Sequence, residues 1–80
     1  MGLFPNPAGD FFYVNLGEDQ VNKGELTIVD MSGRISKMIE IQPGYKIQKV
    51  GIEDLPQGIY MVCWTESGRL KARNKLIRAR

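Results

Sequence analysis

Few side chains in this chain could do chemistry. Its 80 residues include no histidine, so the usual general base and metal ligand is missing. The single cysteine, Cys63, rules out an internal disulfide and makes a structural zinc site implausible. Because Cys63 lies in an apolar stretch, we expect its thiol to be shielded. With no glycine-rich phosphate loop and no carboxylate pair suited to flank a cleft, we predict a protein that is not an enzyme and uses no metal or cofactor.

Positive charge gathers toward the C-terminus. No acidic residue follows Glu66, and the rest of the chain holds six of the eleven basic residues: Arg69, Lys71, Arg73, Lys75, Arg78 and Arg80. The first four share one parity of an alternating strand, which predicts a row on one face. Such a row either protects a sheet edge from aggregation or offers a positive patch to an acidic partner. Both interpretations stay open for Arg69, Lys71 and Arg73.

A second polar group occupies the middle of the chain. Asp30 can accept backbone N–H groups within a turn, and Gly33 tolerates the positive φ that tight hairpins require. Arg34 can pair with the Asp30 carboxylate across that turn. These residues predict a hairpin, and a recognition role for Arg34 is the less favoured interpretation because exposed ion pairs contribute little.

Alternating apolar residues predict an all-β chain that positions these groups. Residues 55–64 begin with a turn containing Gly58 and continue with side chains that are apolar on both faces, including Tyr60, which predicts a central strand covered by two layers. About six or seven short strands predict a small antiparallel immunoglobulin-like β-sandwich. The side chains expected to face inward are Phe12, Val14, Leu16, Leu26, Ile28, Ile35, Ile39, Ile41, Val50, Ile52 and Leu55.

The chain is expected to hold one domain over residues 4–80, preceded by a linker or an expression scar at residues 1–3. Pro5-Asn6-Pro7 predicts a rigid, non-helical start, because each proline lacks an N–H and restricts the residue before it. No apolar run approaches the roughly 20 residues needed to span a bilayer, so we predict no membrane insertion.

Three separated patterns resemble a known family. They are Pro5-Asn6-Pro7 followed by Asp10, residues 28–34 (IVDMSGR), and residues 55–60 (LPQGIY) with Gly68 and the ending Lys75-Leu76-Ile77. Together they resemble the type A C-terminal sorting domain of proteins exported by the type IX secretion system of Bacteroidetes-group bacteria. The resemblance covers residues 4–80, with Val29 and Ser36 as departures from the usual pattern.

This resemblance implies a module without chemistry of its own, joined to an N-terminal cargo and read by the type IX translocon. A cell-surface sortase would cut just before the domain and attach the cargo to the surface, so the location would be secreted or cell surface, by way of the periplasm and outer membrane of a Gram-negative bacterium. The terminal residues would matter far more for export than for folding. The candidate sorting residues are Pro5, Asn6, Pro7, Asp30, Gly33, Arg34, Gly58, Tyr60, Lys75, Leu76, Ile77 and Arg78.

Other interpretations stay open beside the sorting module. A small carbohydrate- or protein-binding sandwich accessory to a secreted enzyme would need an exposed row of Phe11, Tyr13 and Tyr45. A nucleic-acid-binding barrel would combine the basic strand with Trp64 or Tyr60, but rings and basic residues lie on different strands, so we predict no nucleic-acid partner. Flat sheet edges would also allow a weak homodimer of the free domain.

Overall fold

The computed structural model describes residues 1–17 and 22–79. Within these ranges the chain forms seven β-strands, which confirms the all-β prediction, and contains no helix that could cross a membrane. Arg80, from the basic tail, lies outside the described residues. The strands are β1 (Gly2–Phe4), β2 (Phe11–Asn15), β3 (Gly24–Asp30), β4 (Ile35–Ile41), β5 (Ile47–Gly51), β6 (Gly58–Glu66) and β7 (Arg69–Arg78). Residues 2 and 3, expected within a linker, are part of β1.

Two antiparallel sheets make up the fold. One has the strand order β1-β2-β5 and the other has the order β4-β3-β6-β7. An immunoglobulin domain distributes its strands in this way, except that here the fourth strand pairs with the third instead of with the fifth. The predicted antiparallel sandwich is therefore confirmed.

The core lies between the two sheets. Nine of the eleven predicted inward residues are buried: Phe12, Val14, Leu16, Leu26, Ile28, Ile41, Val50, Ile52 and Leu55. Ile39 is partly buried and packs against them. The second sheet adds Tyr60, Val62, Trp64 and Leu76, and the chain before β2 adds Ala8. Since directly paired residues share a face, these buried side chains identify the inner face of each strand.

A β-bulge overturns the prediction for Ile35. The register of β3 against β4 pairs Ile28 with Lys37 but Val29 with Ile35, so Ser36 is an extra residue. One extra residue sends the side chains beyond it to the opposite face. Ile35 therefore lies beside Val29 on the outer face and is 56% exposed, instead of facing the core.

A second bulge breaks the predicted row of basic residues. Trp64 pairs with Ala72 and Thr65 with Leu70, which leaves Lys71 as the extra residue of β7. The Lys71 Nζ atom turns toward the inner side, 5.4 Å from the centroid of the Trp64 ring.

The four basic residues consequently do not form one row. Arg69 pairs with Glu66 and follows the inner parity, whereas Arg73 and Lys75 follow the outer parity of β7. The prediction that all four share a face is wrong, because strict alternation holds only where no residue is inserted. Only Arg73 and Lys75 remain together.

The central position of β6 was predicted correctly. The prediction that other layers cover both of its faces was wrong. This strand lies between β3 and β7, inside the larger sheet. The second layer covers only its inner face. On the other face Ile59 is 43% exposed and Cys63 is only half-buried, contrary to the expectation of a shielded thiol.

Matched substitutions at Ile41 and Ile35 test the bulge in β4. We expect Ile41→Ala to lower the unfolding free energy by about 2–4 kcal/mol, since it leaves a cavity in the core. Ile35→Ala should change it by only about 0.5 kcal/mol, because that side chain faces solvent. Urea unfolding of the purified domain measures both values. Equal losses would contradict the assigned register.

Candidate functional site

The sequence patterns that are far apart along the chain meet at one end of the sandwich. Asp30, the last residue of β3, pairs with Tyr60. Gly58, the first residue of β6, pairs with Arg78, the last residue of β7. At the same end, the backbone N–H of Ile52 donates to the Asp10 carbonyl just before β2 begins. This end, which we call the motif end, therefore gathers residues from every pattern.

The Asn6 side chain takes the place of a neighbouring strand beside β7. Its Nδ2 donates to the Lys75 carbonyl over 2.8 Å, and its Oδ1 accepts the Ile77 N–H over 2.9 Å. A side-chain amide has the same donor and acceptor as a peptide group, so it can satisfy an edge in this way. Pro5 and Pro7, on either side of Asn6, are exposed.

The backbone of Ala8 continues this bonding. Its N–H donates to the Ile77 carbonyl over 2.7 Å, and its carbonyl accepts the Ala79 N–H over 2.8 Å. Ala8 is almost fully buried, in a parallel bridge with Arg78. Ala8 was not among the predicted site residues, and its signal in the sequence is no more than a small residue directly after Pro7. From Lys75 to Ala79, then, the end of β7 and the residue after it are bonded to residues 6–8 on the edge that faces away from β6.

The terminal residues alternate between the core and the surface. Leu76 is 0% exposed and Arg78 is 7% exposed, whereas Lys75 is exposed and Ile77 is half-buried. The pairing of Lys75 with Met61 and of Ile77 with Ile59 places these two on the outer face. Leu76 and Arg78 therefore contribute to the interior, while Lys75 and Ile77 remain accessible at the surface.

Arg78 anchors the end of β7. Its Nε donates to the Leu55 carbonyl over 3.3 Å, and its Nη2 lies 3.5 Å from Asp10 Oδ1. The Nη1 atom has no hydrogen-bond partner within the described chain. Nearby, the Tyr60 hydroxyl donates to the Pro56 carbonyl over 2.6 Å, as expected for a buried tyrosine that keeps its polar tip bonded. Both contacts fix the loop that leads into Gly58.

The turn after β3 forms the hairpin that the sequence predicts. Asp30 Oδ1 accepts the Ser32 hydroxyl over 2.6 Å and the backbone N–H groups of Ser32 and Arg34. The Ser32 hydroxyl, followed by the Arg34 N–H, lowers the pKa of Asp30 below its ordinary value of 3.8. Gly33 has φ +90°, the positive value that this turn needs. The Arg34 side chain is 82% exposed, 3.7 Å from Asp30 Oδ2, and so projects into solvent.

The aromatic row required for the accessory-binding interpretation is only partly present. Phe4 and Phe11 both contact Tyr13 on the outer side of the smaller sheet, with ring centroids 5.4 and 5.5 Å apart. The Phe11 ring also lies 4.5 Å from Lys49 Nζ, so these rings contact one another and a cation rather than forming an open platform. Tyr45 lies elsewhere and lines a hollow between β4 and β5.

The described residues include neither an exposed pair of Tyr60 and Trp64 rings nor a metal-binding cluster. Tyr60 and Trp64 are buried, so neither can stack on a nucleotide base. Across residues 1–17 and 22–79 no group of three or more histidine, cysteine or acidic side chains could hold a metal ion. A surface hollow of about 410 Å³ beside β4 contains the ion pair of Lys37 with Asp54, 3.0 Å apart, in which Lys37 lowers the Asp54 pKa.

Removal of the Asn6 amide should weaken the closure of β7. We expect Asn6→Ala to lower the unfolding free energy by about 1–2 kcal/mol, because two hydrogen bonds to strand backbone are lost. Asn22→Ala, at an exposed loop position, is the matched control and should stay within about 0.5 kcal/mol. Urea midpoints of the free domain measure both. A value for Asn6→Ala as small as the control would count against a structural role for the amide.

The Asp30 turn should make stability depend on pH. The pKa of Asp30 is lower in the folded chain than its ordinary value of 3.8. Ionised Asp30 therefore stabilises the fold at pH values above that ordinary pKa. This contribution is lost as the pH falls through the folded-state pKa. The destabilisation by Asp30→Asn should therefore be largest near neutral pH and shrink in acid. Urea midpoints measured from pH 6 to pH 2 test this.

Arg34→Ala is the control for that experiment. It removes the ion pair but keeps the backbone N–H and the Ser32 hydroxyl that act most strongly on the Asp30 pKa. Most of the pH dependence should therefore survive in Arg34→Ala. A constant difference between Asp30→Asn and the unchanged domain across the pH range would overturn the assignment.

Comparison with known proteins identifies the family of this chain. The chain matches the family model of the secretion system C-terminal sorting domain over residues 2–79, nearly its whole length. Neither a curated protein nor a solved structure matches it. The matched range includes both Asn6 and the strand that its side chain closes. The resemblance found in the sequence is confirmed: this chain belongs to the type IX secretion C-terminal sorting domain family.

Proposed function

We propose that this domain directs an N-terminally attached cargo protein across the outer membrane by type IX secretion. A cell-surface sortase then cuts just before the domain and attaches the cargo to the surface. The domain itself performs no catalysis and acts through its contacts with the translocon. Its cargo is thereby secreted or held at the surface of a Gram-negative bacterium.

One observation carries this proposal. Candidate sorting residues from position 6 to position 78 meet at the motif end through direct bonds, such as Asn6 to Lys75 and Gly58 beside Arg78. A partner that approaches this end can contact all three patterns at once. The arrangement therefore favours recognition of a folded surface over recognition of a free terminal peptide.

Eleven of the twelve candidate residues fall into three roles. Leu76, Arg78, Tyr60 and Asn6 hold the motif end together, since they are buried or bonded to strand backbone. Lys75, Ile77, Arg34, Pro5 and Pro7 keep at least part of their surface exposed and are the groups that a translocon subunit can contact. Gly33 and Gly58 shape the turns that present them.

Export of a reporter protein tests this proposal. A periplasm-targeted fluorescent protein fused to residues 1–80 should reach the cell surface in bacteria with a working type IX system. The double substitution Lys75→Ser with Ile77→Thr changes only outer side chains of the tail and keeps its strand preference. We expect it to lower surface delivery about tenfold, the effect of losing roughly 1.4 kcal/mol of binding.

Leu76→Ala provides the structural comparison, since its core cavity should destabilise the domain by about 2–5 kcal/mol. Urea unfolding of each purified domain then separates loss of recognition from loss of fold. If the double substitution is exported as well as the unchanged domain, the exposed half of the tail is not read. If the unchanged domain fails to leave the periplasm, the proposed function itself is wrong.

A protein- or carbohydrate-binding accessory role is the second candidate. The partial exposure of Phe4 and Phe11, at 43% and 37%, favours it, whereas their contacts with Tyr13 and Lys49 reduce the ring surface open to a ligand. This function would not need the motif end. It predicts that the free domain binds a ligand, and that Phe11→Ala abolishes this binding while export continues.

A further inference from the structure

The solvent-facing side of the larger sheet carries many apolar side chains. We call this side the outer face and define it by the residues whose strand partners also point away from the core. Its apolar members are Val29, Ile35, Met38, Ile59, Met61, Cys63, Leu70 and Ile77, and its charged members are Glu25, Glu40, Arg73 and Lys75. Ile35, Met38, Ile59 and Leu70 are 43–56% exposed. An antiparallel sheet with one solvated side normally alternates apolar and polar residues, so this composition needs a cause.

Both β-bulges increase the apolar character of this face. Without the insertion at Ser36, regular pairing would place Ser36 opposite Val29, but the bulge places Ile35 there. Without the insertion at Lys71, the partner of Thr65 would be Lys71, but the bulge places Leu70 there. Each irregularity thus exchanges a polar residue for an apolar one on the same surface. Bulges commonly re-aim side chains next to functional sites.

We propose that the outer face docks a protein partner whose contact surface is apolar and bordered by carboxylates opposite Arg73 and Lys75. This inference rests on the proposed sorting function and specifies the surface through which the domain is recognised. Large exposed apolar patches on soluble proteins mark interaction sites. Met38 and Met61 suit such contact because their flexible side chains adapt to a partner.

The outer face is continuous with the motif end. Lys75 and Ile77, the exposed half of the tail, are two of its members and lie beside Ile59 and Met61. A partner that contacts these tail residues must therefore also cover the apolar surface next to them. The positive charges lie on β7, at the border of the face, where they can meet carboxylates without entering the apolar centre.

Continuity with the motif end favours such a partner over a second copy of the domain. The four strands of this sheet are 7 to 10 residues long and about 4.8 Å apart, so the face has a projected area of roughly 500 Å². A partner that continues over the motif end to Arg34 adds contact area that two copies stacked on this face alone would lack. A second copy, in which Glu25 and Glu40 could approach Arg73, is an outcome of the test.

Matched substitutions on the two sheets test the apolar part of the proposal. Met38→Glu places a charge on the outer face, and Ile47→Glu places the same charge on the exposed side of the smaller sheet, where Ile47 is 52% exposed. In the reporter assay Met38→Glu should lower surface delivery at least about tenfold, whereas Ile47→Glu should export like the unchanged domain. Ile59→Lys replaces Met38→Glu if the latter unfolds in urea at a lower concentration than the control.

Arg73 and Arg69 test the charged border. They have the same parity in sequence, but the bulge at Lys71 places only Arg73 on the outer face. Arg73→Glu should lower export several-fold, because it would oppose the partner's carboxylates, and Arg69→Glu should leave export unchanged. Equal effects of the two substitutions would overturn the acidic border.

The outcomes separate this inference from the function on which it rests. If the unchanged domain is exported and Met38→Glu behaves like Ile47→Glu, the docking face is overturned while the sorting function stands. If the unchanged domain is not exported, both fail. A dimer in sedimentation that Met38→Glu dissociates while export continues would assign the face to a second copy. Binding to anionic phospholipid vesicles that Met38→Glu abolishes while export continues would assign it to a membrane.

Discussion

The structure depends on the closure of β7 by residues 6–8 from the other end of the chain. An open edge strand exposes unpaired N–H and C=O groups, which invite pairing with another chain. Here the amide of Asn6 and the backbone of Ala8 bond four such groups between Lys75 and Ala79. The closure also holds Leu76 and Arg78 in the interior, and with them the loop before β6. A domain of 80 residues has little stability to spare, so loss of this contact would affect the whole fold.

This constraint changes what a terminal signal can be. A free tail could offer every side chain and its backbone to a receptor, but a paired strand can offer only alternate side chains. In this domain Lys75 and Ile77 are presented, while Leu76 and Arg78 support them from below. We therefore expect mutations at these four positions to affect export by two different physical routes. An export defect at Leu76 or Arg78 says as much about folding as about recognition.

The sequence predicts the parts of this fold that follow local periodicity. Phe12, Val14 and Leu16 alternate without interruption, and all three are buried as expected. The Asp30 turn could also be predicted from the sequence, because its carboxylate, serine and glycine lie within four consecutive residues. Ile35 and the basic residues of β7 were misplaced because a single inserted residue reverses parity, and nothing in the composition around Ser36 or Lys71 reveals the insertion.

The hydrogen bond between Asn6 and Lys75 could not be predicted from the sequence for another reason. The two residues are 69 positions apart. Pro5-Asn6-Pro7 predicts a rigid segment, but it does not predict which strand that segment lies against. The motifs could therefore be found individually, while their meeting at one end required the fold.

The outer face explains why β6 looked like a strand covered on both sides. The side chains of β6 are apolar on both faces of the sheet, but only one of these faces packs against the core of this domain. Ile59, Met61 and Cys63 face the side that no described layer covers. An apolar side chain at a solvent-facing position contributes little to the stability of the isolated domain. A contiguous group of such side chains is typical of an interaction surface. The proposed partner would cover this face as a third layer and would at the same time contact Lys75 and Ile77, the exposed side chains of the tail.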